Sequence, residues 1–291
     1  MILLYGAFGR HNFGDMLFPH ILETLIPDRE FVPVDMVEKD MTQYGGHNVQ
    51  SVYNYIWSGE NVDVIHVGGE VGQCKHRDAV RMHGLPPIDP QLPQLTYILN
   101  KDDFMNPGTF IGNALGGLLP YQKENFDYVC ARDKVEGIDL VPDSATVVRD
   151  LFEDRIKQAT VEIKKPYIAI QCNEIEISSN RSKIAELSQG KNVVFFCAGR
   201  AKYHDNPDLY PPDKSLPNTN IWEICKIISE AEMVATSSLH THIIARQYDV
   251  PAVALTKRSK VINYLDTWGG HSNKELNDMY YESLNRWVDL I

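Results

Sequence analysis

The segment Thr236–Ser237–Ser238–Leu239–His240–Thr241–His242 gathers four hydroxyls and two imidazoles ahead of a turn at Asp249–Val250–Pro251. A strand running into Thr236 and a helix beginning at Leu239 would place hydroxyls, free backbone N–H groups and an imidazole in one turn. That combination holds an anion and supplies a proton, with His240 as the acid because imidazole titrates near neutrality. Ser237, Ser238 and Leu239 are then anion contacts. His240 and His242 are two apart, so on a helix they point differently: one faces a cleft and the other packs. The plain alternative is a well-capped helix with a buried histidine.

A second cluster is Gly6–Ala7–Phe8–Gly9–Arg10–His11–Asn12–Phe13–Gly14–Asp15. Gly9, Asn12 and Gly14 would let backbone N–H groups approach an anion at a helix start. Asp15 either caps that helix or accepts a proton. The spacing is neither GxGxxG nor a Walker loop. Gly68 and Gly69, closing the run Val62–Val67, permit a similar approach. In Ala198–Gly199–Arg200–Ala201–Lys202–Tyr203–His204–Asp205, Arg200 and Lys202 could clamp an anion and His204 could exchange a proton. Arg132, beside Asp133 and upstream of Asp143, reads as an anion contact or a structural ion pair. No zinc spacing links Cys74, His76 and His83, or His240 and His242. Gly-x-Ser-x-Gly and HExxH are absent.

Positioning these groups requires strands ending where they sit. Ile2–Tyr5, Phe31–Val34, Val62–Val67, Phe110–Ile111, Tyr128–Ala131 and Val141 form one series. Leu17, Phe18, Ile21, Leu22 and Leu25 make the apolar face of a helix capped by Asp15, with Pro19 in its first turn. Residues 70–108 are irregular and proline-rich, and a loop this long is usually functional. Past the charged stretch Phe152–Pro166 the pattern resumes: strands at Tyr167–Gln171, Val193–Cys197, Met233–Ala235 and Ala252–Leu255, helices at Ser179–Gln189, after the cap Asn220, and at Leu239–Tyr248. Leu276, Tyr280, Leu284 and Trp287 mark a last helix over 273–291. Alternation of this kind predicts an α/β fold with two Rossmann-like domains, 1–155 and 156–291, whose parallel sheets face a cleft, the last helix packing back on the first domain. Ligands in such folds lie beyond the carboxyl ends of the strands.

The 291 residues carry a formal charge of −11, which excludes wrapping nucleic acid and an anionic membrane surface but not a locally basic cleft. The start lacks a signal-peptide pattern, no run reaches a membrane span, and five scattered cysteines without CxxC point to reduced thiols in the cytoplasm.

Taken in order, these pieces resemble the polysaccharide pyruvyl transferase family. The match runs from Gly9-x-x-Asn12-x-Gly14-Asp15, through Asp63–Gly69, Arg132–Asp133, Pro142–Asp143 and His204–Asp205, to the signature Thr236–His240 with Pro251. The resemblance implies a glycosyltransferase-B-like architecture and transfer of a ketal-linked pyruvyl group from phosphoenolpyruvate to a sugar. His240 and nearby basic residues would bind the donor. No metal or redox cofactor is required by that scheme. The partners are a small-molecule donor and a sugar or glycan acceptor, with peripheral membrane contact if the acceptor is lipid-linked. Glu70 stands where many members have a third glycine, and Ser238 where many have arginine. The alternatives are a nucleotide-sugar glycosyltransferase on the same plan and a non-catalytic glycan-binding relative, the latter favoured by Ser238. The donor reading needs helix-start amides and cations to share one gap between the halves.

Overall fold

A computed structural model describes residues 1–74, 82–83, 97–199, 205, 210–211, 214–216 and 220–291. Arg200, Lys202 and His204 therefore lie outside the described residues, as does much of the 70–108 segment.

The first sheet has eight strands: β1 (Ile2–Tyr5), β2 (Phe31–Asp35), β3 (Lys39–Asp40), β4 (Asn48–Ser51), β5 (Val62–Val67), β6 (Pro107–Leu115), β7 (Tyr128–Ala131) and β8 (Asp139–Leu140). Their order is β3-β4-β2-β1-β5-β6-β7-β8. All pairs are parallel except β3 with β4. β1 lies between β2 and β5, with Leu3 opposite Val32 and Val64. A central parallel strand is covered on both faces, which is why Ile2–Leu3–Leu4–Tyr5 is apolar throughout rather than alternating. Leu4 faces the helix α1 (Phe13–Leu25), while Leu3 and Tyr5 join Val34 and Val64 in a separate core on the other face.

The second sheet is all parallel in the order β10-β9-β11-β12, formed by β9 (Ile168–Gln171), β10 (Val193–Phe195), β11 (Met233–Thr236) and β12 (Ala252–Ala254). Its helices include α6 (Ile221–Ser229), capped by the Asn220 side chain onto Trp222 N–H, and α7 (Leu239–Gln247). One continuous apolar core runs from Leu4, Phe13 and Phe18 of the first half to Trp222, Ile224, Leu239 and Ile243 of the second. α8 (Ser259–Trp268) and α9 (Asn273–Asn285) follow β12. α9 returns to the first sheet: Tyr280 Oη accepts from Asn113 at 3.0 Å, and Arg286 just beyond it pairs with Asp139 at 3.0 Å. No helix among the described residues is long and apolar enough to cross a membrane. The five cysteines are free, and all but Cys74 are buried.

Two local readings change. α1 begins at Phe13 with Asn12 in the capping position, so Asp15 is inside the helix and is not its cap. Pro19 consequently falls in the second turn, where its missing N–H leaves the Asp15 carbonyl without its usual partner four residues on. The helix expected over Ser179–Gln189 is present as Arg181–Ser188, preceded by a separate single turn, Glu174–Ile177.

Candidate active site

A cavity of about 420 Å³ opens between the halves. The first half contributes Arg10, Asn12, Asp15, Gly69, Glu70 and Arg132; the second contributes Asp205, Ser237, Ser238, Leu239, His240, Arg258 and Lys260. The site therefore stands at strand ends and helix starts, where an open α/β sheet leaves a crevice.

α7 supplies its floor. Ser238 occupies the capping position, and its Oγ accepts from Thr241 N–H at 3.4 Å. The N–H groups of Leu239 and His240 precede the first intrahelical bond, as in any helix start, and both residues line the cavity. Ser237 is buried, its Oγ accepting from Asn173 N–H at 2.9 Å. Ser238 is thus spent on the cap, and Ser237 on β9's carboxyl end.

His240 is 7% exposed and lies edge-on to Phe13 and Phe18. Its Nδ1 side rests on Gly14: a Cβ placed there would come within 1.9 Å of Nδ1. Its Nε2 is 3.6 Å from Asp143 Oδ2, an ion-pair separation too long for a hydrogen bond. Nε2 has no hydrogen-bond partner among the described residues. Asp143 is completely buried. Its Oδ2 accepts from Arg132 Nη1 at 2.6 Å and its Oδ1 from Ala145 N–H at 2.9 Å. Burial alone would raise its pKa, but His240, Arg132 and the Ala145 amide together hold it well below the usual carboxylate range. Arg132 is 2% exposed, and Gly116 must lack a side chain because a Cβ would meet the guanidinium at 2.6 Å. Asp143 therefore joins the arginine of one strand end to the imidazole of α7. His242, by contrast, is buried away from the cavity, and burial pushes it down to about 4.

The glycine-rich loop behaves differently from a simple anion cradle. Gly9 N–H donates to Asp35 Oδ2 at 2.7 Å, Gly6 N–H to the Val34 carbonyl, and Phe13 N–H to the Ala198 carbonyl. With the His240 ring over Gly14, the start of α1 is closed by protein, and it presents side chains instead of amides. Asp15 Oδ2 accepts from Arg10 Nη2 and Asn12 Nδ2, both at 2.8 Å. Gly68, at φ +57, is required by the Phe18 ring, which a Cβ would meet at 2.3 Å. Gly69, at φ +75, does line the cavity. Of the glycines expected to touch an anion, Gly9 has its N–H bonded to Asp35, and Gly14 and Gly68 lie against the His240 and Phe18 rings.

Arg200 and Lys202, the expected clamp, and His204, the expected proton carrier, fall outside the described residues. The cations the structure does bring to the cavity are Arg10, Arg132, Arg258 and Lys260. Arg258 and Lys260 follow β12 at its carboxyl end, the same placement that drew attention to Arg200, so strand-end logic applied once more would have found them. Lys260 Nζ reaches Glu70 Oε2 across the cleft at 3.2 Å. Asp205 is a further addition. It is 7% exposed, accepts from Ala198 N–H at 2.5 Å and Gln171 Nε2 at 2.6 Å, and is pushed up to about 7 by burial.

The polysaccharide pyruvyl transferase family model matches residues 12–257. The chain belongs to that family. Matching residues include Asn12, Asp15, Arg132, Asp143 and His240, so most of the cavity lies inside the matched region. No curated protein sequence matches the chain. Among solved structures it is similar to the Methanocaldococcus jannaschii UDP-GlcNAc 2-epimerase in complex with UDP-GlcNAc and UDP, with a TM-score of 0.55, 12% identity, and 97% of this chain and 91% of that one covered. The Rickettsia bellii UDP-N-acetylglucosamine 2-epimerase aligns with a TM-score of 0.49 and 9% identity over 99% and 95% of the two chains. At these identities the likeness is one of fold, and it is the glycosyltransferase-B-like plan.

Proposed function

We propose that this chain transfers the three-carbon unit of phosphoenolpyruvate to two hydroxyls of a sugar as a ketal. The observation that carries the reading is His240: an imidazole in the opening turn of α7, beside two free helix-start amides, in a cavity walled among the described residues by four cationic side chains. The cavity volume is in the range that holds a small anion together with a sugar ring.

The chemistry needs a proton delivered to the methylene carbon of the donor, which leaves an oxocarbenium-like centre. One sugar hydroxyl adds there, phosphate departs, and the second hydroxyl closes the ring. Of the two hydroxyl protons released, one restores the acid and the other leaves with phosphate. His240 is placed to give the first proton, its Nε2 3.6 Å from Asp143 Oδ2. Asp205, pushed up to about 7, suits proton exchange near neutrality. Asp15 keeps Oδ1 beside Gly69 while Arg10 and Asn12 hold Oδ2, which makes Oδ1 the alternative proton acceptor. Arg258 and Lys260, with the α7 amides, face the donor's phosphate and carboxylate.

The test is phosphate release from phosphoenolpyruvate with a panel of diol-bearing sugars, alongside thermal-shift screening against nucleotide sugars. His240→Ala is expected to lose about 10²–10⁴-fold in turnover while keeping its fold. Turnover like that of the parent chain removes His240 from the chemistry. Stabilisation by nucleotide sugars and not by phosphoenolpyruvate supports the glycosyltransferase reading instead.

A further inference from the structure

In the carboxyl-terminal half of α1, His20 and Glu23 converge with His47. One ring nitrogen of each imidazole and one carboxylate oxygen all lie within 4.8 Å of one another. It is the one such group of His, Cys, Asp and Glu side chains among the described residues. We propose that these three side chains form a divalent transition-metal site, with Zn²⁺ as the fitting ion and water in the fourth position.

The placement follows from two elements. His20 and Glu23 are three apart on α1, so they share one face of the helix. His47 arrives from the turn before β4, where Gly45 adopts φ +80 and lets the chain reverse. Tetrahedral zinc takes nitrogen and oxygen ligands at about 2.0–2.2 Å, which puts ligand atoms about 3.3 Å apart. His47 Nε2 and Glu23 Oε2 are already 2.9 Å apart. The widest spacing in the group, within 4.8 Å, exceeds the tetrahedral edge by up to about 1.5 Å, within reach of side-chain rotation.

The surroundings resemble those of a ligating histidine. His20 Nε2 is 2.8 Å from the Gly45 carbonyl, which only accepts, so that nitrogen carries the proton and Nδ1 carries the lone pair. A backbone carbonyl holding the second ring nitrogen is the usual way a metal-binding imidazole is oriented. His20 and His47 have ring centroids 4.1 Å apart, and His20 lies edge-on to Trp222 of the second half. The three side chains are half-buried, leaving solvent a path to the ion. Two neutral imidazoles and one carboxylate suit zinc, nickel or cobalt rather than magnesium or calcium, which select oxygen. Bound there, an ion would fasten α1 to the Gly45–His47 turn at the seam with α6. Sequence spacing does not reveal the group, because 24 residues separate Glu23 from His47.

The experiment is calorimetric titration of the chelator-stripped full chain with ZnCl2. One ion per chain is expected, with affinity at least about tenfold weaker in His47→Ala and in Glu23→Gln. His47 sits in a half-buried turn, so its variant tests the site with little risk to the core; His20→Ala opens space against Trp222 and is a poorer probe. As an independent measurement, Co²⁺ added to the parent chain should give the intense visible absorption of a four-coordinate ion, and His47→Ala should abolish it. An isotherm that fits no single site overturns the proposal, as does zinc affinity unchanged by both substitutions, or cobalt bound only with the weak spectrum of the hydrated ion.

Discussion

Gly14→Ala separates the packing of the site from the stability of the helix that carries it. Gly14 is the second residue of α1, a position where alanine is favoured over glycine by about 1 kcal/mol when nothing else intervenes. Here the added methyl would lie 1.9 Å from His240 Nδ1, 2.1 Å from Cγ and 2.6 Å from Cε1. The ring must move, and overpacking of this kind costs about 1–3 kcal/mol. The net change in stability is then a loss of about 0–2 kcal/mol, small enough to leave the chain folded. The effect on turnover is larger. Displacing the imidazole breaks its alignment with Asp143, and the general-acid contribution at stake is about 10²–10⁴-fold, or about 2.7–5.4 kcal/mol of barrier. Phosphate release from phosphoenolpyruvate reads the second quantity and urea unfolding the first. The double variant Gly14→Ala/His240→Ala should be more stable than the sum of the single variants implies, by a coupling of about 0.5–3 kcal/mol, without recovering turnover. Parent-like turnover in Gly14→Ala, or strictly additive stabilities, refutes the argument.

Asp143→Asn leaves Arg132, 2% exposed, with no carboxylate partner, and a broken buried pair typically costs about 3–5 kcal/mol; a urea-unfolding loss under 1 kcal/mol contradicts that account. Asp205 and His66 oppose each other in pH. Asp205 is raised by burial from 3.8 to about 7, so the stability it contributes is complete below pH 4 and is lost as pH rises through 7, by about 4 kcal/mol. Asp205→Asn should therefore remove a fall in stability between about pH 4 and 7. His66 is lowered by burial from 6.5 to about 3 while its Nε2 accepts from Leu99 N–H, so its contribution is complete above pH 6.5 and is lost as pH falls toward 3, by about 4–5 kcal/mol. His66→Gln should remove the opposing rise between about pH 3 and 6.5, so the two variants tilt the profile in opposite directions; urea midpoints between pH 3 and 8 that keep the parent slopes in both variants exclude these assignments.

The fold was legible wherever a strand is covered on both faces, because Ile2–Tyr5 reads as an unbroken apolar run, and Val62–Val67 and Ile168–Gln171 are broken only by Asp63, His66 and Gln171. The short edge pair β3 and β4 was not, since Lys39–Asp40 and Asn48–Ser51 are polar and are held by pairing rather than by burial. In the site, a helix start rich in hydroxyls announces itself, and α7 begins where its sequence says. What the chain does not announce is which glycine serves a ligand and which serves a neighbour. Gly14 and Gly69 look alike in sequence, yet one lies under an imidazole and the other lines the cavity. Lys260 and Arg258 are marked locally by their place just past β12, but their partners Glu70 and Glu176 come from distant segments and are not.

On the pyruvyl-transfer reading, a chain of formal charge −11 must make room for an anion among its own ion pairs. Among the described residues, each cation at the cavity already faces a carboxylate: Arg10 with Asp15, Arg132 with Asp143, Arg258 with Glu176 and Lys260 with Glu70. A dianionic donor gains only where it replaces a carboxylate that can leave at little cost. Arg132 and Asp143 are 2% and 0% exposed, and separating them would strand two buried charges. Lys260 and Glu70 are 29% and 45% exposed, and Glu70 can swing into water without losing its solvation. On the pyruvyl-transfer reading, the buried pair therefore fixes the imidazole, while the cross-cleft pair is the one that opens to receive the donor. A glutamate at position 70, where many members have glycine, then acts as a stand-in anion that keeps the cleft neutral until substrate arrives.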